Sequence, residues 1–209
     1  MYSDERKFVF FHPQKCGGNS INRIFGEYSS VEIKIRDSKS GNNQGSTIPS
    51  LRHGKHSSYE QYISDFPFVQ NYFKFSVFRD PFERIASLYS HKFQLKSPPN
   101  AAAAISFLNN VSRLNQVDYY GIKNTVKVDF IIDFDNFERD VRHLYKTLIG
   151  KELNSVMHVN KSPLSNYADF YTYDGEISSN VVSAVKETFR RDIEFQESYM
   201  NKVSKFLKS

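Results

Sequence analysis

The chain has 209 residues, which is long enough for one α/β domain with a substantial core and too short for two ordinary domains. Hydrophobic residues make up 39% and charged residues 24%, a composition that is typical of a globular protein and excludes a disordered one. The formal net charge of +5 fits an anionic ligand, a nucleic acid or a membrane surface, although scattered charges are equally typical of a mildly basic protein. The single cysteine, Cys16, excludes an internal disulfide and a cysteine-cluster metal site.

The sequence carries no targeting signal that we recognise. No stretch approaches the roughly 18 apolar residues of a membrane span. The N-terminal segment is polar and carries acidic residues, unlike a signal peptide, and a strand is predicted almost at once, so no upstream domain is expected. We therefore expect a cytoplasmic protein without a membrane span.

In the first part of the chain, strand and helix patterns alternate. Four apolar residues predict a buried strand at 7–12, and a helical pattern follows at 18–28. Alternating apolar and charged residues predict a short strand at 31–35, and the polar stretch 36–58 predicts a long loop. The next predicted elements are a helix at 59–66 and a strand at 73–79.

The second part continues the alternation. Asp80 and Pro81 are typical of an N-cap and a first helical residue, and the segment 97–100 breaks the helix that they begin. The remaining predictions are a helix from 101 to 114, a strand at 128–134, a helix at 136–148 capped by Asp135 and closed by Gly150, an irregular segment at 151–176 and a helix from Ser178 or Ser179 to 199. Strands separated by helices predict an α/β fold in three layers, with a central, mostly parallel sheet flanked by helices.

The turn after the first strand has the composition of an anion cradle. Glycines let the backbone approach a ligand, the helix dipole favours negative charge, and a lysine precedes them; the stretch is Lys15-Cys16-Gly17-Gly18-Asn19-Ser20. A Walker A loop would place its lysine after the glycines, and no clear magnesium ligand accompanies this loop. An ordinary glycine turn between strand and helix is an equal alternative on this stretch alone.

A second strand, turn and helix carries Arg79 at the end of its strand and Ser87 two helical turns beyond the helix start. An arginine fork with a serine hydroxyl is a suitable phosphate clamp, and in a parallel sheet Arg79 is expected at the same edge as Lys15. The alternative for Arg79 and Arg84 is a surface ion pair with Asp80 or Glu83.

Together these motifs resemble those of PAPS-dependent sulfotransferases of the carbohydrate, or family 2, type. That family carries a 5′-phosphosulfate loop, His-Ile-Pro-Lys-Thr-Gly-Gly-Thr-Ser, and a 3′-phosphate motif that begins Phe-Val-Arg-(Asn/Asp)-Pro. The second motif is nearly intact over 78–89. The first shows three departures, Pro13-Gln14 for Ile-Pro, Cys16 for Thr and Asn19 for Thr. Similarity continues at 128–140, 158–162 and 167–171, and is weakest at 36–52 and 97–125.

The resemblance implies a P-loop-like sulfotransferase fold as one domain over residues 1–209, and it implies roles for individual residues. Lys15 would contact the transferring sulfuryl group, and the loop would hold the 5′-phosphate of PAPS. Arg79 and Ser87 would hold the 3′-phosphate, and no metal would be needed. The complete set of expected cofactor-binding residues is Gln14, Lys15, Cys16, Gly17, Gly18, Asn19, Ser20, Arg79 and Ser87.

The acceptor hydroxyl needs a general base, and histidine suits this role near neutral pH. His56 is the first candidate, because the family often places a histidine between its first helix and the arginine strand, and His53 is the second. A His53/His56 metal site would lack carboxylate or cysteine partners. The other histidines are His12, expected to bury its ring beside the strand end, His91 and His143 within helices, and His158 near the cofactor segment.

The predicted function is therefore transfer of a sulfuryl group from PAPS to a hydroxyl, with a carbohydrate as the expected acceptor, PAP as product and no nucleic acid as partner. Two other classes stay open at this point. One is a P-loop-like kinase or nucleotide-binding protein, and the other is a non-enzymatic module that binds anions or nucleic acid. A catalytic Cys16 thiolate is a further alternative to its role as a small loop side chain.

Overall fold

The computed structural model of the chain describes residues 1–36, 45–47, 54–94, 97–113, 115–122, 125–156, 167–202 and 204, without the side chains of 35–36 and 45–47. The chain forms two compact units. Unit 1 consists of Met1–Phe78 and Asp118–Lys161, and unit 2 of Arg79–Val117 and Ser162–Ser209. A single domain over residues 1–209 stays a prediction.

The strands are short and fall in both units. They are β1 (Tyr2–Ser3), β2 (Phe8–Phe10), β3 (Lys34–Arg36), β4 (Gly45–Thr47), β5 (Phe73–Phe78), β6 (Gly121–Ile122), β7 (Thr125–Val126), β8 (Phe130–Asp133), β9 (Thr172–Tyr173) and β10 (Glu176–Ile177). The α-helices are α1 (Gly18–Phe25), α2 (Tyr59–Asp65), α3 (Pro81–Phe93), α4 (Ala101–Val111), α5 (Phe137–Ile149), α6 (Ser179–Thr188) and α7 (Arg190–Ser198).

Unit 1 is built on a four-stranded sheet with the order β1-β2-β5-β8. The β2–β5 and β5–β8 pairs are parallel and the β1–β2 pair is antiparallel, so the prediction of a mostly parallel sheet is confirmed. The short antiparallel edge strand β1 was not predicted. Because β2 and β5 are parallel, the segment after β2 starts at the carboxyl edge of the sheet.

Helices cover both faces of this sheet. Successive side chains of a strand point to opposite faces, so Phe10 and Phe11 face different layers. On one face the Phe25 ring of α1 lies 5.5 Å from that of Phe75, which also stacks on Phe10. On the other face the Tyr59 ring of α2 stacks on Phe11 with a centroid distance of 5.0 Å. These contacts give unit 1 the predicted α/β layers, with the sheet flanked by helices.

Unit 2 contains four helices, α3, α4, α6 and α7, and the β9–β10 hairpin among its described residues. Its core combines aromatic and branched side chains of all these helices, including Phe82, Phe107, Val185 and Ile193. Among the described residues of the chain, none of the helices has the length and apolar character that a membrane crossing requires. The cytoplasmic location stays a prediction.

Several predicted elements are wrong in detail. The stretch expected to be a loop over 36–58 contains β4, which pairs with β3. The N-cap of α5 is Asn136 and not Asp135, because Asp135 lies inside a 3₁₀ turn that Asp133 caps before the helix. The segment 151–176 contains β9 and the start of β10, joined by Asp174 and Gly175 with positive φ.

The predicted final helix is also wrong, since it is two helices that are separated at Phe189. The Phe189 side chain is fully buried, and the Arg84 guanidinium lies 5.3 Å from its ring centroid. The helix α7 begins directly after the break and has Asp192 in its first turn, where the carboxylate lies 3.4 Å from Nη2 of Arg84.

Candidate functional site

The first candidate site is the turn that joins β2 to α1 in unit 1. The Phe11 N–H donates to the carbonyl oxygen of Phe75 at 3.0 Å and extends the parallel pairing by one residue. The Ser76 hydroxyl donates to the carbonyl oxygen of Phe11, also at 3.0 Å. Both hydrogen bonds are made at the carboxyl end of β2, so they hold the backbone in place where the loop begins.

Two residues in the left-handed region turn the backbone from the strand into the helix. They are Gly17, with φ 74°, and Lys15, with φ 62°. The conformation is easy for glycine and costs a lysine about 1 kcal/mol or more, a strain found mainly at functional sites. Gly17 is the N-cap of α1 and has no side chain to cap the helix. Among the described residues, no side chain caps the first turn of α1, where the Ser20 N–H donates to the carbonyl oxygen of Gly17 at 2.9 Å. A helix start without a side-chain cap is a common place for an anion to bind.

Gly18 is required by the close approach of a histidine ring. A Cβ atom built on Gly18 would overlap Cδ2 and Nε2 of His12. His12 is only 4% exposed, which confirms that it buries its ring beside the strand end. The fit between this ring and Gly18 holds the start of α1 against the end of β2.

The same histidine also holds His56. The Nδ1 atom of His56 lies 2.9 Å from the carbonyl oxygen of His12, and the two rings meet edge to face at 4.5 Å. Burial lowers the pKa of His56 from 6.5 to about 4. The hydrogen bond to His12 raises this pKa, and the positive charges of Lys55 and Lys15 lower it further. At neutral pH His56 is therefore an uncharged ring beside two ammonium groups.

Lys55 is a feature of this site that the sequence analysis missed. Its Nζ donates to Oδ1 of Asn19 in the first turn of α1, at 3.1 Å. Burial lowers the pKa of Lys55, because the partly buried ammonium is desolvated. The only sequence signal was its place next to His56 in a basic stretch. An anion bound at this turn would stabilise the charged ammonium group of Lys55, which has lost part of its hydration through burial.

Cys16 is fully buried, and its thiol donates to the carbonyl oxygen of Gln14 at 3.4 Å. Reactive cysteines are usually partly exposed, so this placement favours the small loop side chain over the alternative of a nucleophile.

The second candidate site lies in unit 2, around Arg79. Its side chain is 4% exposed; Nη2 lies 3.9 Å from a carboxylate oxygen of Glu83, and the guanidinium is 4.8 Å from the Tyr167 ring centroid. The sequence analysis gave a surface ion pair with Asp80 or Glu83 as the alternative for Arg79. The structure has the pair with Glu83, but the Arg79 side chain in it is buried. For Arg84 that alternative is wrong, because the partner is Asp192 and neither side chain has exposed surface.

The start of α3 differs from that of α1. Asp80 caps it by accepting from the N–H groups of Phe82 at 2.9 Å and Glu83 at 3.2 Å. Because Asp80 already accepts from these N–H groups, an anion at this turn would have to be bound by side chains. Ser87, the other predicted residue, is buried on α3.

Comparison with known families now bears on both sites. A sequence model described as the sulfotransferase family matches residues 1–113, which is more than half of the chain and includes both motifs. The chain belongs to the sulfotransferase family. The general chemistry that this membership supports is sulfuryl transfer. No curated protein matches the sequence.

In this sulfotransferase, all predicted site residues fall within the matched range. Unit 1 brings the loop 14–20 and His56 together, while Arg79 and Ser87 belong to unit 2. The second candidate base, His53, and the similar segment 158–162 lie outside the described residues. The functional roles of these residues stay predictions.

Proposed function

We propose that this sulfotransferase transfers a sulfuryl group from PAPS to a hydroxyl group of a carbohydrate and releases PAP. The observation that carries the proposal is the pairing, within unit 1, of a lysine-bearing turn at a helix start with an uncharged His56. The carbohydrate acceptor is proposed from the motif wording, which resembles the carbohydrate branch of the family.

The residues present fit a phosphosulfate anion. The turn combines Lys15 and Lys55 with the start of α1, which no described side chain caps. The rings of Phe134 and Phe137 lie against Gly17, and the ring of His12 lies against Gly18. The two lysines place positive charge at this turn, as a dianionic ligand requires.

In this proposal Lys15 acts through its positive charge, and His56 acts through its uncharged ring. PAPS, when bound, supplies the sulfuryl group that the acceptor oxygen takes. Lys15 places positive charge where negative charge accumulates on the sulfuryl oxygens and on the leaving phosphate. His56 donates from Nδ1 to a carbonyl oxygen, so its Nε2 carries the lone pair that accepts the proton of the acceptor hydroxyl.

Unit 2 would contribute the recognition of the 3′-phosphate. The Arg79 guanidinium is a permanent charge with several donors, and its burial strengthens any interaction with a phosphate. Ser87 would add a hydroxyl from α3. Asp80 already occupies the first N–H groups of this helix, which is why the proposal assigns recognition to the two side chains.

The test compares ligands and variants by isothermal titration calorimetry. We expect PAP to bind and ATP with Mg²⁺ to bind weakly or not at all. Lys15→Ala and Arg79→Ala should each weaken PAP binding by about tenfold or more, as expected for the loss of a charge-assisted contact. The matched controls are Lys146→Ala and Arg190→Ala, whose side chains are 67% and 78% exposed and should leave PAP binding unchanged.

Transfer from PAPS to a panel of neutral and acidic glycans, followed by mass spectrometry, then tests the acceptor class. Binding of ATP with Mg²⁺ but not of PAP would replace the proposal by a kinase or nucleotide-binding function. Binding of nucleic acid with a steep salt dependence and no transfer would favour a binding module.

A further inference from the structure

The backbone of Arg79 is held by a glutamine side chain far along the chain. Oε1 of Gln116 accepts from the Arg79 N–H at 2.9 Å, and Nε2 of Gln116 donates to the Arg79 carbonyl oxygen at 2.8 Å. Gln116 is fully buried, and Arg79 is 4% exposed. One amide group thus satisfies both backbone groups of Arg79, as a neighbouring strand would, immediately after β5 ends at Phe78.

Gln116 is in turn fixed by Asp192. The carboxylate of Asp192 accepts from the backbone N–H groups of Gln116 at 2.9 Å and Val117 at 3.1 Å. It also lies 3.4 Å from Nη2 of Arg84. These groups are buried or nearly so, and buried polar groups of this kind have a single well-defined arrangement when their partners are in place.

We infer that Gln116 is a positioning residue for donor recognition, because it fixes the backbone from which the Arg79 guanidinium projects. The inference rests on the proposed function, in which Arg79 binds the 3′-phosphate. Residue 79 lies between the last strand residue and the helix start, so neither element supplies its backbone hydrogen bonds. A phosphate is recognised by a guanidinium only in a narrow geometry, and a shift of the backbone would misplace the fork.

The experiment compares PAP with 5′-AMP, which lacks the 3′-phosphate. In the wild-type chain PAP should bind more tightly than 5′-AMP. Gln116→Met keeps the length of the side chain but neither donates nor accepts strongly, and it should weaken PAP binding about tenfold while changing 5′-AMP binding less than twofold. In turnover assays the KM for PAPS should rise by a similar factor, with kcat within about twofold.

The matched control is Tyr171→Phe. It removes another buried hydrogen bond of unit 2, from the Tyr171 hydroxyl to the carbonyl oxygen of Phe82 at 2.8 Å, without touching Arg79. Its ratio of PAP to 5′-AMP affinity should equal that of the wild type. The smaller variant Gln116→Ala, checked for folding by circular dichroism, should repeat the selective loss that Gln116→Met shows.

Three results would overturn the inference. Equal weakening of both ligands, or an unchanged ratio in both Gln116 variants, would mean that Gln116 has no specific role at the 3′-phosphate. Failure of both variants to fold would make Gln116 a stability residue only. A wild-type chain that binds PAP no better than 5′-AMP would instead contradict the proposed function on which the inference rests.

Discussion

The Nδ1 atom of His56 lies 2.9 Å from the carbonyl oxygen of His12. A carbonyl oxygen can only accept, so Nδ1 must carry the hydrogen and donate. With a pKa of about 4 the ring is uncharged at neutral pH, which leaves the lone pair on Nε2. The backbone of His12, between β2 and the turn before α1, therefore selects the tautomer that a general base would require.

The first prediction concerns His56→Ala. The variant should lose between about 10² and 10⁴ in kcat, the usual contribution of a positioned base, and keep its affinity for PAP within about twofold. Steady-state kinetics with a saturating acceptor and calorimetry with PAP measure the two effects. His143→Ala, which removes an exposed histidine of the same unit, serves as the control. Full transfer by His56→Ala would end the assignment of His56 as the base.

The second prediction is a loss of stability in mild acid. Burial lowers the pKa of His56 to about 4 and that of His12 well below 6.5. Below pH 6.5 the unfolded chain takes up protons that the folded chain does not, so the free energy of unfolding falls as the pH falls towards 4. Since one pKa unit corresponds to about 1.4 kcal/mol, His56 alone accounts for up to about 3 kcal/mol of this loss.

Urea denaturation at several pH values between 7 and about 4.5 measures this dependence. His56→Asn removes one titrating ring and retains an amide donor for the His12 carbonyl group, so its free energy of unfolding should fall less steeply with decreasing pH. Equal slopes for the wild type and His56→Asn would show that the folded chain accommodates a charged His56 without penalty.

The third prediction concerns the fit between Gly18 and the ring of His12. Gly18→Ala would place a methyl group on that ring and should destabilise the chain by about 1–3 kcal/mol, the usual cost of overpacking. Displacement of His12 should also disturb His56, so kcat should fall. In the double variant with His12→Ala the overlap is absent, and the two destabilisations should not add.

Gly26→Ala is the matched control for this cycle. Gly26 directly follows α1 with φ −63°, and a Cβ atom there would lie 3.8 Å from Cδ1 of Ile33, an ordinary contact. The variant should change the free energy of unfolding by less than about 1 kcal/mol, in the stabilising direction. Strict additivity of Gly18→Ala and His12→Ala would show that the two residues do not constrain each other.

Elements whose ends are encoded by neighbouring residues could be predicted from the sequence. Asp80 and Pro81 predicted the start of α3, and Asp80 does cap it. Gly150, with φ 77°, ends α5 as predicted. The turn before α1 could be predicted for the same reason, because its lysine and glycines lie within a few residues and act through the local backbone. Its role as an anion cradle stays a prediction.

Contacts between distant parts of the chain had no such signal. Gln116 lies in a segment with little similarity to the family, and nothing in its neighbours indicates that it binds the backbone of Arg79. The break at Phe189 was missed because the flanking residues continue a helical pattern. In the structure the break coincides with the buried Phe189 ring and the buried Arg84–Asp192 pair, which come from distant parts of the chain. At this position the local sequence pattern favours a continuous helix, whereas the structure, with its contacts to distant residues, has two helices.

The last prediction tests that packing. Asp192→Ala would leave the fully buried Arg84 without its carboxylate and remove the acceptor of the Gln116 and Val117 N–H groups. The expected loss is about 3–5 kcal/mol, since an uncompensated buried charge is costly. Urea denaturation measures it, and Arg84→Met combined with Asp192→Ala should recover part of the loss because neither member of this pair then leaves a buried charge.

The control for this pair is Glu138→Ala in α5. It removes an exposed ion pair with Arg142, in which the side chains are 55% and 40% exposed and the N–O distance is 2.7 Å. Exposed pairs at this spacing contribute about 0.5 kcal/mol or less, so Glu138→Ala should have a small effect. If Asp192→Ala costs no more than Glu138→Ala, the burial of Arg84 and Asp192 does not hold α7 against α3. The backbone position of Arg79 would then depend on Gln116 alone.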